Sequence, residues 1–156
     1  MNYTLLTKGA PIKFLLAEDD HDDQMIFMES IHDILVPIEV SIVADGEKVL
    51  EFFKVADNPT PDVIFLDVNM PLMTGIECLK RIRKNEKFAQ IPCVILSTSN
   101  SKKDIEECYK HGANLYLLKP QDYKTLTKMI NMVLGLNWKE YSAPEQKSFF
   151  ITEKEI

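Results

Sequence analysis

Five short apolar runs punctuate the chain: Phe14–Ala17, Ile38–Val43, Val63–Leu66, Cys93–Leu96 and Leu115–Leu118. Runs of this length suit strands buried on both faces. The segments between and after them carry helical spacing instead. Met28, Ile31 and Leu35 recur at three and four residues. So do Val49, Phe52 and Phe53; Ile76, Leu79 and Ile82; and Leu126, Met129, Ile130 and Val133. Asp45-Gly46 signals the start of the second helix and His111-Gly112 the close of the fourth. Pro59, Pro61 and Pro92 fall in connections leading into strands, where they interrupt no helix. The alternation predicts five βα units, with parallel strands, right-handed crossovers and helices on both faces.

Composition adds boundaries rather than detail. A chain of 156 residues with 46% hydrophobic and 27% charged residues fits one domain with a sizeable core. The net charge of −6 argues against nucleic acid or an anionic membrane as partner. No apolar stretch is long enough for a membrane span, and no secretory signal is evident. Cys78, Cys93 and Cys108 have no metal-ligand spacing, and any disulfide would leave one over. A reducing, cytoplasmic setting with structural thiols is expected. The histidines, His21, His32 and His111, are read as surface or capping residues, and Met25, Met28, Met129 and Met132 as core filler.

Chemistry concentrates where the strands end, because a parallel sheet brings its C-terminal ends to one edge. The first strand ends in Glu18-Asp19-Asp20, the third in Asp67, the fourth in Ser97-Thr98-Ser99 and the fifth in Lys119-Pro120. At about 5 Å and an effective dielectric near 20, each carboxylate pair costs on the order of 3 kcal/mol. A cation offsets that repulsion. Hard carboxylate oxygens without His or Cys favour Mg²⁺, Mn²⁺ or Ca²⁺. With so few protein oxygens, Mg²⁺ fits best, since it keeps waters and accepts phosphate oxygens. Mg²⁺ and Lys119 balance Glu18, Asp19 and Asp67, so an incoming phosphoryl group meets a neutral pocket. The chemistry suggested is phosphoryl transfer to Asp67, with Lys119 on the equatorial oxygens and the Ser97 hydroxyl bonding one of them. Asp20, Asp22 and Asp23 are read as helix N-terminal charge.

These residues resemble the receiver domain of two-component response regulators. The matching stretches are Phe14-Leu15-Leu16-Ala17-Glu18-Asp19, Leu66-Asp67-Val68-Asn69-Met70-Pro71 with Gly75, Val94-Ile95-Leu96-Ser97, and Tyr116-Leu117-Leu118-Lys119-Pro120. Each alone is a weak signal; in order, at the ends of the right elements, they are highly specific. The resemblance covers residues 12–136, leaving a lead at 1–11 and a tail at 137–156. It implies a flavodoxin-like doubly wound three-layer sandwich with parallel strand order 2-1-3-4-5. It implies Asp67 as phosphoacceptor, Asp19 as direct Mg²⁺ ligand and Glu18 as an outer carboxylate acting through water. Asp67 and the backbone carbonyl of Asn69 complete the metal set. Ser97 matches the switch hydroxyl, Lys119 the phosphate-pairing lysine and Tyr116 the switch aromatic, which turns inward on phosphorylation. A cis Lys119–Pro120 bond is also implied. Thr98 stands where the family usually has a smaller residue, and Asn69 and Ser99 occupy positions that tune dephosphorylation.

The resemblance implies a single-domain response regulator, not an enzyme, phosphorylated by a sensor histidine kinase. It would signal to a downstream protein or phosphotransfer protein, with no attached output domain. A homodimer through the fourth helix, fifth strand and fifth helix, or through the tail, is a further implication. Asn137-Trp138-Lys139-Glu140-Tyr141 resembles a tail in some such regulators, including partners of phytochrome-type kinases. Phe149-Phe150-Ile151 is unusual in a polar tail; it packs on the domain, binds a partner, or belongs to a disordered end. Competing classes remain. A haloacid-dehalogenase-type aspartyl-phosphate hydrolase needs a second Asp where Asn69 stands. A flavodoxin-like binding module needs a phosphate-cradling loop where the chain has acids. A degenerate receiver acting unphosphorylated is a further option.

Overall fold

The computed structural model describes residues 10–136, 138 and 145–156. Strands and helices alternate: β1 (Ile12–Ala17), α1 (His21–His32), β2 (Ile38–Val43), α2 (Gly46–Lys54), β3 (Val63–Leu66), α3 (Gly75–Lys84), β4 (Cys93–Ser97), α4 (Lys102–Lys110), β5 (Leu115–Leu118) and α5 (Tyr123–Gly135). A short helix α6 (Gln146–Phe149), a two-residue strand β6 (Phe150–Ile151) and a 3-10 turn (Glu153–Glu155) follow. All strand pairs are parallel, in the order β2-β1-β3-β4-β5-β6. The expected order of the first five strands holds. The sixth was not anticipated, because two residues carry no periodicity.

Alternation along the strands builds two cores. Leu15, Ala17, Ile64, Leu66, Ile95 and Tyr116 face Val49 of α2, Cys78, Leu79 and Ile82 of α3, and Cys108 of α4. Phe14, Leu16, Phe65, Val94, Leu96 and Leu117 face Phe27 and Ile31 of α1 and Leu126, Met129, Ile130 and Val133 of α5. Phe14, Phe27 and Phe65 meet edge to face, with centroids 5.0 to 6.4 Å apart. Such pairs add to the burial of the rings themselves.

Helix starts follow capping rules. Asp20, Asp45, Thr74, Ser101 and Asp122 each accept a backbone N–H three residues on. Gly112 closes α4 with φ 91°, a conformation in which a side chain is strained. Three readings need correction. β2 is half-buried because it is a sheet edge, so its run is not covered on both faces. α1 stops at a cap on Asp33, which leaves Leu35 outside the helix and 96% exposed. Met25 and Met28 lie on the outer face of α1, exposed, whereas Met129 is core.

Candidate functional site

Backbone ladders running past the strands place the polar residues. The Glu18 N–H donates to the Val43 carbonyl, the Asp67 N–H to Ala17 and the Lys119 N–H to Ser97, at 2.9 to 3.1 Å. Each chain is therefore still held in the sheet where its functional side chain begins. Asp20 starts α1 immediately after the acidic pair, and Gln24 on that helix donates its Nε2 to the Glu18 carbonyl at 2.7 Å. After Asp67 the chain turns through Leu72, at φ 66°, and enters α3 at Gly75. A Cβ at Gly75 would stand 2.0 Å from the Asp67 carbonyl oxygen, so only glycine lets α3 begin this close to the strand end.

Lys119 is the centre of the arrangement. Its Nζ donates to Glu18, to Asp23 Oδ2 at 2.8 Å and to Asp67 Oδ2 at 3.0 Å. Burial pulls the lysine pKa down, but the bonds it donates to Asp23 and Glu18 and the charges of Asp67 and Glu18 more than offset it. The net shift is upward, and Lys119 stays charged. Glu18 is buried, 2% exposed, and its pKa is pushed up to about 8. Burial is the main cause, with the neighbouring Asp67 carboxylate second. The Lys119–Pro120 bond is trans, not cis as the resemblance implied. Here charge pairing aims the lysine inward.

The carboxylates suit a hard cation. One oxygen from each of Glu18, Asp19 and Asp67 lies within 4.8 Å of the others. Glu18 Oε2 is fully buried and has no hydrogen-bond partner. An orphaned acceptor beside two further carboxylates is the donor set that an octahedral, oxygen-preferring ion completes. The residues therefore fit a divalent cation. Asn69, two residues after Asp67, is exposed, and its N–H donates to Asp67 Oδ1 at 3.3 Å.

The strand β4 side supplies hydroxyls. Leu66 pairs with Ile95, which brings Asp67 out of the sheet one register step before Ser97. Ser97 is fully buried, and its Oγ accepts the Ser99 N–H at 3.2 Å. The Ser99 hydroxyl donates to Asp104 at 2.6 Å. Thr98, the bulkier residue, points to solvent. Tyr116 is already inward and fully buried, its hydroxyl donating to the Ser99 carbonyl at 2.7 Å.

The structure thus brings Glu18, Asp19, Asp67 and Lys119 together, with Ser97 and Tyr116 along one flank. It adds Asp23, read from sequence only as helix charge. Asp20 behaves as read, capping α1 through Asp23 N–H at 2.9 Å. Nothing in local spacing marks Asp23 as the partner of a lysine 96 residues away. The tail stretch at 137–141 lies largely outside the described residues. Its Trp138 is described, and the indole N–H donates to the Val133 carbonyl at 3.1 Å. Phe149 packs on the domain and is fully buried.

Comparison with known proteins agrees with this geometry. Residues 14–131 match the response regulator receiver domain. The response regulator Rcp1 of Synechocystis is 32% identical over 124 residues, covering 77% of this chain and 84% of that protein. The Mn²⁺-bound form of Rcp1 superposes with a TM-score of 0.73 at 29% identity, over 86% of this chain and 100% of that one. The phosphorylated cyanobacterial phytochrome response regulator RcpA superposes with a TM-score of 0.76 at 29% identity, over 87% and 100%. With its strand order, its acidic strand ends and its lysine in register with them, the chain belongs to the response regulator receiver domain family.

Proposed function

We propose that Asp67 accepts a phosphoryl group from a sensor histidine kinase and that the modified chain signals through protein–protein contacts. One observation carries the reading. The Asp67 carboxylate sits 3.0 Å from a charged lysine, beside two further carboxylates whose oxygens lie within 4.8 Å of one another. In the transfer, an Asp67 oxygen attacks phosphorus, the P–N bond to the donor imidazole breaks, and the imidazole nitrogen keeps the electron pair. Lys119 stays protonated throughout and pairs with the phosphoryl oxygens as negative charge builds on them. Asp19 and Asp67, with the Asn69 carbonyl, would hold Mg²⁺, and Glu18 would act through water. Bound there, the ion supplies charge neutralisation and ligand positions for the phosphoryl oxygens. Ser97 donates its hydroxyl to one of these oxygens.

That RcpA is a phytochrome response regulator supports a phytochrome-type kinase as donor, and the Mn²⁺-bound form of Rcp1 and the phosphorylated form of RcpA support the site chemistry. Downstream, a dimer or target would dock on the face of α4, β5 and α5 together with the tail residues that cover the β5 edge. Receiver domains act as signalling proteins, and this chain is read as one, in a cytoplasmic setting; among the described residues no helix is long and apolar enough to cross a membrane. The residues at 12–136 carry the phosphoacceptor function.

The direct test is intact mass after incubation with acetyl phosphate and Mg²⁺. A gain of one phosphoryl group that is absent without Mg²⁺ and absent in Asp67→Asn is the expected result. Steady multiple-turnover release of phosphate would point to a hydrolase instead. No mass gain in the wild type would overturn the reading.

A further inference from the structure

The tail lies along β5, the strand that carries Tyr116 and leads into Lys119. β6 pairs with β5 in register, Phe150 against Tyr116 and Ile151 against Leu117. Phe149, just before it, is fully buried. Its ring lies 5.1 Å from Tyr109 of α4 and 6.2 Å from Tyr116, both edge to face. The Phe150 ring lies 5.6 Å from Tyr116. Two tail rings therefore wall the tyrosine on its sheet-edge side. The tyrosine hydroxyl anchors the Ser99 carbonyl, and the Ser99 N–H anchors the Ser97 hydroxyl. Contacts therefore run from the tail through Tyr116 and Ser99 to the Ser97 hydroxyl at the end of β4.

We propose that residues 146–151 form an intramolecular clasp whose docking on β5 is coupled, through Tyr116, to occupancy of Asp67. The proposal rests on the phosphoacceptor reading above. A contiguous set of contacts becomes a coupling only if some element in it has two states. The clasp is such an element. It is one short helical turn and a two-residue edge strand, held by few backbone bonds, and such segments open well before the domain unfolds. Docked, Phe149 leaves Tyr116 no room to swing outward, so the 97–99 turn stays drawn toward the strand ends. Undocked, the tyrosine loses that wall and the turn loses its anchor. Linkage then requires the reverse effect: a phosphoryl group that draws Ser97 inward strengthens docking by the same factor.

The test uses the full chain with Mg²⁺ and beryllofluoride as a phosphoryl stand-in. Backbone amide exchange at 149–152 should slow about fivefold or more on occupancy, at any protein concentration, and stay unchanged in Asp67→Asn. Phe149→Ala should weaken beryllofluoride binding by a similar factor, and Phe149→Leu should recover part of it. If the alanine variant fails to fold, exchange in the wild type still decides. Failure of the wild type to bind beryllofluoride removes both the phosphoacceptor reading and the clasp. Binding with no change, or with faster exchange in the tail, overturns the clasp alone. Protection that exists only at concentrations where the chain dimerises also overturns it, since the tail would then be seated on a second copy.

Discussion

At the scale of single residues, hydrogen bonds made by charged side chains decide positions that the sequence leaves open. Arg83 shows this away from the functional edge. Its guanidinium donates to the carbonyls of Gly112, Ala89 and Ile91 and to Asn114 Oδ1, at 2.8 to 3.1 Å. Asn114 Oδ1 in turn accepts the Cys93 N–H at 2.8 Å. One fork therefore ties α3, the connection into β4 and the connection into β5 together. Arg83→Met is expected to destabilise the fold by about 2–4 kcal/mol, measured as a shift in denaturant midpoint. Arg83→Lys should not rescue it, because an ammonium cannot reproduce the planar fork. A full rescue by lysine would show that charge alone matters there. In the sequence Arg83 reads as one more surface cation on α3, because its partners are backbone carbonyls, which have no signature. Asp23 was missed for a different reason: its partner, Lys119, lies 96 residues away in the sequence. Glu18, Asp19, Asp67 and Lys119 were legible because they sit at strand ends, where topology alone says they converge.

At the scale of elements, legibility followed burial. β3 was read to its true bounds because all four of its residues are buried and apolar. β2 was read to its true bounds but not to its burial: Glu39 and Ile42 are exposed and the other four residues are half-buried. β6 is too short to show any period at all. The close approach of α3 to β3 was also partly hidden. Gly75 was noted as part of a family pattern, but its reason is steric. Gly75→Ala would press a methyl against the Asp67 carbonyl oxygen, at 2.0 Å before relaxation. The strand end or the helix start must move. The expected cost is about 2–4 kcal/mol, with loss of phosphoryl acceptance beyond what that destabilisation explains. Wild-type acceptance in a stable Gly75→Ala protein would show that the helix start can shift without disturbing the carboxylate.

At the scale of the whole molecule, the core between the sheet and helices α2, α3 and α4 holds three thiols that behave as small hydrophobes. Burial pushes Cys78 and Cys108 up to about 12 and Cys93 up to about 11, from an ordinary value of 9.0. Tyr116 is likewise raised to about 12, by burial, against the opposing hydrogen bond to Ser99. Above pH 9 the unfolded chain releases thiol protons that the folded chain still holds. Stability must then fall with rising pH, beginning near 9 and levelling off by about 11 to 12. Each thiol contributes up to about 1.4 kcal/mol per pH unit in that window. Denaturant midpoints at pH 8 and pH 10 measure the slope. Cys78→Ala should lower the midpoint at both values yet make the slope shallower. An unchanged slope would mean the thiol does not titrate on unfolding.

The unequal ends of the sheet have a consequence for how copies of this chain can associate. On one side β2 offers a six-residue edge, paired on its inner side with β1. On the other side the tail covers β5 and leaves an edge only two residues long. Growth by strand addition needs two long edges on every copy. Two copies joined along β2 would use up both long edges and leave only short ones outside. Such a union closes on itself as a twofold pair and cannot propagate into a fibre. By lying along β5, residues 150–151 make the molecule a terminator of its own assembly.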